Sequence, residues 1–409
     1  MQYSITGPNK ILKNQIKLPT SKSISNRVLI INALAYSPYE IENLSDSDDT
    51  RVLLKVFNSD QNIFDIGAAG TSMRFLTAYL SKIVGEWILT GSERMKQRPI
   101  GTLVEALRNL GANIEYVEKE GYPPLKITGC ALQGGEIELE GNISSQYISS
   151  LLMIAPSITN GLTIKLTGEI ISKPYIKLTL SLMRDFGIVS TWKDDIIIIP
   201  EQTYQPIPFR VEGDWSAASY WYEIIALSNN ESIELVGLQK NSYQGDSVIS
   251  ELFNQLGVKT SFNNDKIQLS KSDQIVEHFT YNFIEQPDLA QTFAVTCCGL
   301  KIPFKFTGLQ SLRIKETDRI FALIEELGKL GFHLTTNGID TLEWDGTIID
   351  HTDNQPVVIN TYKDHRMAMS IAPLAMKNFS IIIDDPMVVT KSYPSFWNHL
   401  SEAGFTIIK

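Results

Sequence analysis

The sequence predicts an α/β protein made of six repeated units, and three observations carry that expectation. The first is a recurring phrase: a segment with apolar residues at helical spacing, then Leu or a similar residue near a Gly, then a strand-like run. It is read in LVEALRNLGANIEYV (Gly111), LSLMRDFGIVSTW (Gly187), VISELFNQLGVKTSF (Gly257), IFALIEELGKLGFHLTT (Gly331) and FWNHLSEAGFTII (Gly404). The second is the interval between these glycines, roughly 70 residues each time, which is the signature of a repeat array. The third is a degenerate earlier copy, TRVLLKVFNSDQNIFDI, which completes the set for a chain of 409 residues.

Each half of the phrase has a local cause. In IFALIEELGKL, Ile320, Leu323, Ile324, Leu327 and Leu330 share one face of a helix. The Gly that follows suits the left-handed residue just beyond a helix C-terminus. Composition bounds the rest. Hydrophobic residues at 43% and charged residues at 20% are ordinary for a soluble globular protein. No stretch approaches the ~18 apolar residues of a membrane span, and a cytoplasmic protein is expected. Cys130, Cys297 and Cys298 show no CxxC spacing and are expected as buried core thiols. A net charge of −10 argues against nucleic acid or an anionic membrane as partner, so any anion site must gather its cations locally.

Such gatherings recur along the chain. LPTSKSISNR (18–27) puts Lys22 at the mouth of a helix, with Ser23 and Arg27 four apart on one face. Free N–H groups, hydroxyls and cations there suit a phosphate or carboxylate, whereas the bland meaning is a Ser N-cap with two solvated charges. GAAGTSMRFL (67–76) carries Gly70 and Thr71 ahead of an apolar helix. GSERMKQRPIG (91–101) gathers Arg94, Lys96 and Arg98, with Pro99 keeping Arg98 extended. GNISSQYISSLLMIAP places Ser144, Ser145 and Gln146 at another helix start, and ISKPYIKLTLSLM adds Ser172 and Tyr175 at a Pro-marked one. Together these neutral groups point to a polyhydroxylated ligand.

Farther on, QPDLAQTFAVTCCGL has a single carboxylate, Asp288, at the head of a buried helix. It is either a capping residue or a proton acceptor in a low-dielectric pocket. SLRIKETDRIF sets Lys315 and Arg319 four apart with Glu316 between them, the usual pattern of a salt-bridged helix start. TYKDHRMAMSIAPLAM brings Asp364, His365 and Arg366 before an apolar helix, and VVTKSYPSFW contains Lys391. His365 has no second His or Cys at ligand spacing, and no metal is expected. An inert solenoid would repeat its polar clusters, whereas these sit at different places in different repeats, as one site built from many repeats would.

Taken in order, SKSISNR, GAAGTSMR, ERMKQRPIG, SSQYISSLLM, SKPYI, VEGDWSAASY, QGD, PDLAQT, KETDR, DHRMAM and the Lys391 segment resemble the 5-enolpyruvylshikimate-3-phosphate synthase family of enolpyruvyl transferases, over the whole chain. The resemblance implies a two-domain inside-out α/β barrel with three βαβαββ repeats per domain. Residues 1–19 and 213–409 would form a discontinuous domain, residues 20–212 an inserted one, with the active site in the cleft between them. The implied reaction moves the enolpyruvyl group of phosphoenolpyruvate to the 5-hydroxyl of shikimate 3-phosphate, releasing phosphate, in the pathway to chorismate and the aromatic amino acids. A monomer without cofactor is implied. Two substrates bearing a phosphate and a carboxylate each would explain why an acidic chain collects these cations.

By similarity, Lys22, Ser23, Arg27, Thr71, Ser144, Ser145, Gln146, Ser172, Tyr175, Asp288 and Lys315 hold shikimate 3-phosphate. Lys22, Gly70, Arg98, Gln146, Arg319, Arg366 and Lys391 hold phosphoenolpyruvate. Asp288 accepts the proton of the 5-hydroxyl and Glu316 protonates the methylene carbon, with Lys22 a further proton-transfer group. The chain departs from the family pattern at Ala68 (usually Asn), Phe75 (usually Pro) and Ser311 (usually Asn). Two alternatives compete. UDP-N-acetylglucosamine enolpyruvyl transferases carry a Cys in the loop matching ERMKQRPIG and an Asn after the first Lys, where this chain has no Cys and Ser23. A non-catalytic repeat-built binding module would lack a chemical residue, and Lys22, Asp288, Glu316 and the arginines are all present.

Overall fold

The computed structural model describes residues 1–409 except 13–14, 230, 264–265 and 350–354. Two compact units emerge, residues 21–211 and residues 1–20 with 212–409. The second unit is closed at its chain crossings, where Thr20 bridges Gly213 and the Asp214 N–H donates to the Pro19 carbonyl at 2.9 Å.

Unit 21–211 contains α1 (Lys22–Leu34), α2 (Asp48–Phe57), α3 (Gly70–Lys82), α4 (Gly101–Asn109), α5 (Ser145–Ile154) and α6 (Lys173–Asp185). Strand Ile63–Asp65 leads through α3 to the parallel strand Gly85–Thr90, and α4 leads on to the antiparallel pair Asn113–Tyr116 and Leu125–Gly129. This is a complete βαβαββ unit. Gln133–Glu140 and Thr159–Thr167 repeat it with α5, α6 and the hairpin Thr191–Lys193 and Ile196–Ile199. The third sheet is reduced to the parallel pair Phe209–Arg210 and Ile41–Glu42. After α2 the chain passes directly into Ile63–Asp65 of the next sheet, so the closing hairpin and its glycine are missing. That is why the first copy of the sequence phrase is degenerate.

The other unit holds α7 (Trp215–Leu227), the short α8 (Ile249–Leu252), α9 (Ala290–Leu300), α10 (Arg319–Gly328), α11 (His365–Ile371) and α12 (Phe396–Glu402). Its sheets follow the same scheme, each with one parallel pair: Gln15–Lys17 with Ser232–Val236, Phe279–Asn282 with Phe304–Thr307, and Val357–Ile359 with Ile381–Asp384. The last sheet is closed by the start of the chain, because Gln2–Thr6 lies antiparallel between Ile381–Asp384 and Thr406–Ile408.

The expected glycines end the helical segments. Gly111, Gly187, Gly257, Gly331 and Gly404 have φ between +79° and +104°. At four of them the two Schellman bonds are made: Ala112 N–H to Leu107 C=O and Gly111 N–H to Arg108 C=O are one set, and equivalents follow at 187, 331 and 404. Helices divide by burial. The first helix of each repeat (α1, α3, α5, α7, α9 and α11) is buried along most of its length and on most sides, whereas α2, α4, α6 and α10 bury one face. Within each unit, core helices inside and sheets outside leave the N-terminal ends of the buried helices as the places where polar side chains collect. Cys297 and Cys298 are buried as expected. Cys130 is only half-buried, because it follows the end of strand Leu125–Gly129, and its Sγ donates to the Gly111 carbonyl.

Candidate active site

In unit 21–211 the opening motif splits between capping and charge. Ser21 caps α1 by accepting the Ile24 N–H, and Ser25 Oγ accepts the Ser45 N–H, so two of the hydroxyls serve the fold. Lys22 is the first residue of α1, and its Nζ lies 3.2 Å from Oδ2 of Asp49, in the first turn of α2.

Arg27, one turn on, is 2% exposed. Its Nε donates to Thr179 Oγ1 at 2.7 Å, one Nη to Ser149 Oγ at 3.1 Å and the other to the Ser23 carbonyl at 2.9 Å, while the guanidinium lies 5.3 Å from the centroid of the Phe75 ring. Every one of these partners is neutral. Burial accordingly pulls the Arg27 pKa down to about 10, only partly opposed by Tyr175, whose carbonyl accepts from Thr179 Oγ1. A cation desolvated among hydroxyls is a built receptor for an anion.

A second group surrounds the start of α3. A Cβ added at Gly70 would overlap the Arg98 guanidinium, so the absence of a side chain is what admits Arg98. Arg74, 4% exposed, donates to the carbonyls of Gly70 and Pro99 and so ties α3 to the Arg98 loop. Burial and the neighbouring Arg98 charge lower it to about 10. Gln146 Nε2 donates to Thr71 Oγ1 at 3.4 Å. Ser144 caps α5, Ser145 is its first residue, and Ser172 stands just ahead of α6 in a left-handed conformation (φ 54°). Such strain in a non-glycine residue belongs where surrounding structure fixes a side chain for use.

In the other unit, one carboxylate gathers three cations. Asp288 lies 2.8 Å from Arg319 Nη1, 3.3 Å from Arg366 Nη2 and 3.7 Å from Lys315 Nζ. Burial alone would raise Asp288, but the opposing fields of Arg366, Lys315 and Arg319 hold it well below the usual carboxylate range. Arg319 is the hub. It also donates to Glu316 Oε2 at 3.0 Å and, through Nε, to Asp364 Oδ2 at 2.7 Å. Burial works against its charge, yet Asp364, Glu316 and Asp288 together raise it above the ordinary arginine value. Asp364 caps α11 by accepting the Arg366 N–H at 2.8 Å.

Lys315 and Arg319 are not on one helix face. α10 begins at Arg319 behind the N-cap Asp318, and Lys315 lies ahead of it in non-helical backbone. Their shared partner is Asp288, across the fold of this unit. Lys391 Nζ donates to the carbonyl of Lys363, the residue before Asp364, at 3.0 Å. Sequence reasoning missed Asp49, Ser149 and Thr179 as partners of the cations, and it named Arg74 and Asp364 without a role. The available signal for Asp49 and Asp364 was an acidic residue at the start of a helix beside a cation. Among the described residues no group of three or more His, Cys, Asp and Glu side chains is arranged to hold a metal ion.

Chemically, the arrangement offers a desolvated arginine among neutral partners in one unit, and an ionised carboxylate within a cationic cluster in the other. The chain matches the family model described as EPSP synthase (3-phosphoshikimate 1-carboxyvinyltransferase) over residues 6–59 and 55–400. A 3-phosphoshikimate 1-carboxyvinyltransferase of Bacteroides fragilis is 55% identical over 408 residues, covering 100% of this chain and 99% of the relative. One from Photobacterium profundum is 37% identical and covers 97% of both. Among solved structures, EPSP synthase from Acinetobacter baumannii aligns with a TM-score of 0.78 at 21% identity, covering 100% of each chain. The enolpyruvyl transferase NikO from Streptomyces tendae aligns at 0.72 with 16% identity, covering 100% of this chain and 98% of that one. These two likenesses bear on the fold alone.

Proposed function

The chain belongs to the EPSP synthase family and transfers the enolpyruvyl group of phosphoenolpyruvate to the 5-hydroxyl of shikimate 3-phosphate, and on that premise we propose which residues hold each substrate. The observation that carries the reading is the convergence of Lys315, Arg319 and Arg366 on Asp288. Arg27 with Ser23, and Thr71, Ser144, Ser145, Gln146, Ser172, Tyr175 and Lys315, hold shikimate 3-phosphate. Arg319 and Arg366 take the carboxylate of phosphoenolpyruvate, and Lys22, Arg98 beside Gly70, Gln146 and Lys391 take its phosphate.

Asp288 accepts the proton of the 5-hydroxyl as that oxygen bonds to C2 of phosphoenolpyruvate, and Glu316 delivers a proton to C3, with Lys22 a further proton-transfer group. The tetrahedral ketal then loses phosphate and one methyl proton. The low proton affinity of Asp288 without substrate gives this sequence an order. When the substrate carboxylate draws Arg319 and Arg366 onto itself, less positive charge bears on Asp288, and its basicity rises as both reactants arrive.

Both charge sets come from this one chain, which supports a monomer. Sedimentation at working concentration checks the monomer. Phosphate release from phosphoenolpyruvate, measured with shikimate 3-phosphate and separately with UDP-N-acetylglucosamine, tests the reaction. Release with the first alone is expected, and release only with the second would overturn it.

A further inference from the structure

Glu326 lies on α10 about 10 Å along the helix axis from Arg319, at ~1.5 Å per residue, and its side chain is fully buried. Its carboxylate is spoken for by donors from a different element. Oε2 accepts the Asn360 N–H at 2.9 Å, Oε1 accepts the Tyr362 hydroxyl at 2.7 Å, and Lys329 Nζ pairs with it from the next turn. The Tyr362 ring also meets Phe321 of α10 edge-on at 6.4 Å.

What these bonds secure is an unusual piece of backbone. Tyr362 and Lys363 are consecutive non-glycine residues in the left-handed region, with φ of 53° and 57°. Each such residue costs about 1–3 kcal/mol and persists only where its surroundings over-determine it. The turn ends in Asp364, whose N–H donates to the Thr361 carbonyl at 2.8 Å and whose carboxylate grips Arg319. The turn also aims the Lys363 carbonyl, which holds Lys391 Nζ. Relaxing either residue to the commoner conformations would redirect both.

We propose that Glu326, acting through the Tyr362 hydroxyl, is a positioning residue for phosphoenolpyruvate, because it clamps the left-handed turn that places Asp364, Arg366 and Lys391. One helix thus carries Arg319 at its start and, two turns on, the anchor for the segment that bears Arg366 and the carbonyl that holds Lys391. Glu326 itself touches no reacting atom. The inference rests on the assignment of Arg319, Arg366 and Lys391 to phosphoenolpyruvate given above.

The test pairs Tyr362→Phe with the double variant Tyr362→Phe/Lys363→Gly, assayed by phosphate release with each substrate varied in turn. Tyr362→Phe is expected to raise KM for phosphoenolpyruvate about 10-fold, since small misplacements of binding groups carry penalties of that order. KM for shikimate 3-phosphate should stay within about twofold of its starting value. Glycine holds positive φ without a tether, so the double variant should recover most of the loss. An unchanged KM for phosphoenolpyruvate, equal rises for both substrates, or no recovery with Lys363→Gly would each overturn the proposal. Amide hydrogen exchange of Asp364 gives an independent reading of the clamp. Faster exchange in Tyr362→Phe with no change in either KM would keep the clamp but reject the assignment of these cations to phosphoenolpyruvate; unchanged exchange rejects the clamp itself.

Discussion

Arg27 and Arg319 are both buried arginines near the N-terminal ends of helices, and their surroundings are opposite. Arg27 is held by two hydroxyls, a carbonyl and an aromatic face, and burial lowers its pKa to about 10. Arg319 is held by Asp288, Glu316 and Asp364, whose charges raise it. On the proposed assignment, the difference teaches how a protein of net charge −10 prepares two kinds of anion site. One leaves a desolvated cation without a carboxylate partner among the described residues, so that the ligand supplies the missing charge. The other fills the site with its own carboxylates, so that an arriving anion must redistribute charge, and that redistribution can be coupled to proton transfer.

The comparison is broken most sharply at Asp288. Asp288→Ala removes the proposed proton acceptor, and kcat should fall about 10³-fold, within the usual range for a general base. Phosphate release in single turnovers checks it, and a loss below about tenfold would show that the proton leaves by another route. Next in size, Arg319→Met strands Asp288, Glu316 and Asp364 without their common partner and should lower the unfolding free energy by about 3–5 kcal/mol. Arg27→Met strands only neutral groups, two hydroxyls and a carbonyl, and removes a desolvated charge, so stability should hold or rise in the same urea titration. Equal losses in the two variants would end the distinction. The same Arg27→Met should nevertheless raise KM for shikimate 3-phosphate between about 10- and 100-fold, the worth of hydrogen bonds to a charged group.

A smaller effect sharpens the contrast outside the site. Glu223 on α7 is fully buried, neither carboxyl oxygen has a hydrogen-bond partner among the described residues, and burial pushes its proton affinity well above the ordinary value. The folded state therefore keeps a proton that the unfolded chain releases above pH ~4.3. Stability from this group is complete below that pH and falls as pH rises toward the folded-state value, by at most about 1.4 kcal/mol per pH unit. Glu223→Gln should flatten the decline of unfolding free energy between mildly acidic and neutral pH, and parallel curves for the two proteins would count against a protonated Glu223.

Much of the fold was legible because its punctuation is local. A left-handed Gly after an amphipathic segment was readable at 111, 187, 257, 331 and 404, and each adopts positive φ. The reduced first repeat was visible as a weak copy, but the cause, a missing hairpin with strands from both ends of its unit, was not. At the site, the positions of helix starts were readable and the partnerships were not. KETDR suggested a salt-bridged helix start with Lys315 and Arg319 four apart, whereas the helix starts only at Arg319 and Lys315 meets Asp288 from outside it. Thr179 reaches Arg27 from 152 positions away, and Asp364 reaches Arg319 from 45.

By itself, then, the amino-acid order determined the repeat period, the helix ends and the supply of cations, hydroxyls and carboxylates at those ends, because these follow from interactions within a turn or two of chain. Only the tertiary structure decided which cation would be left among neutral groups and which enclosed by carboxylates. The physical reason is that the sign of a buried group's stabilisation depends on its nearest charges and on how far water is excluded, and both are set by residues distant in sequence.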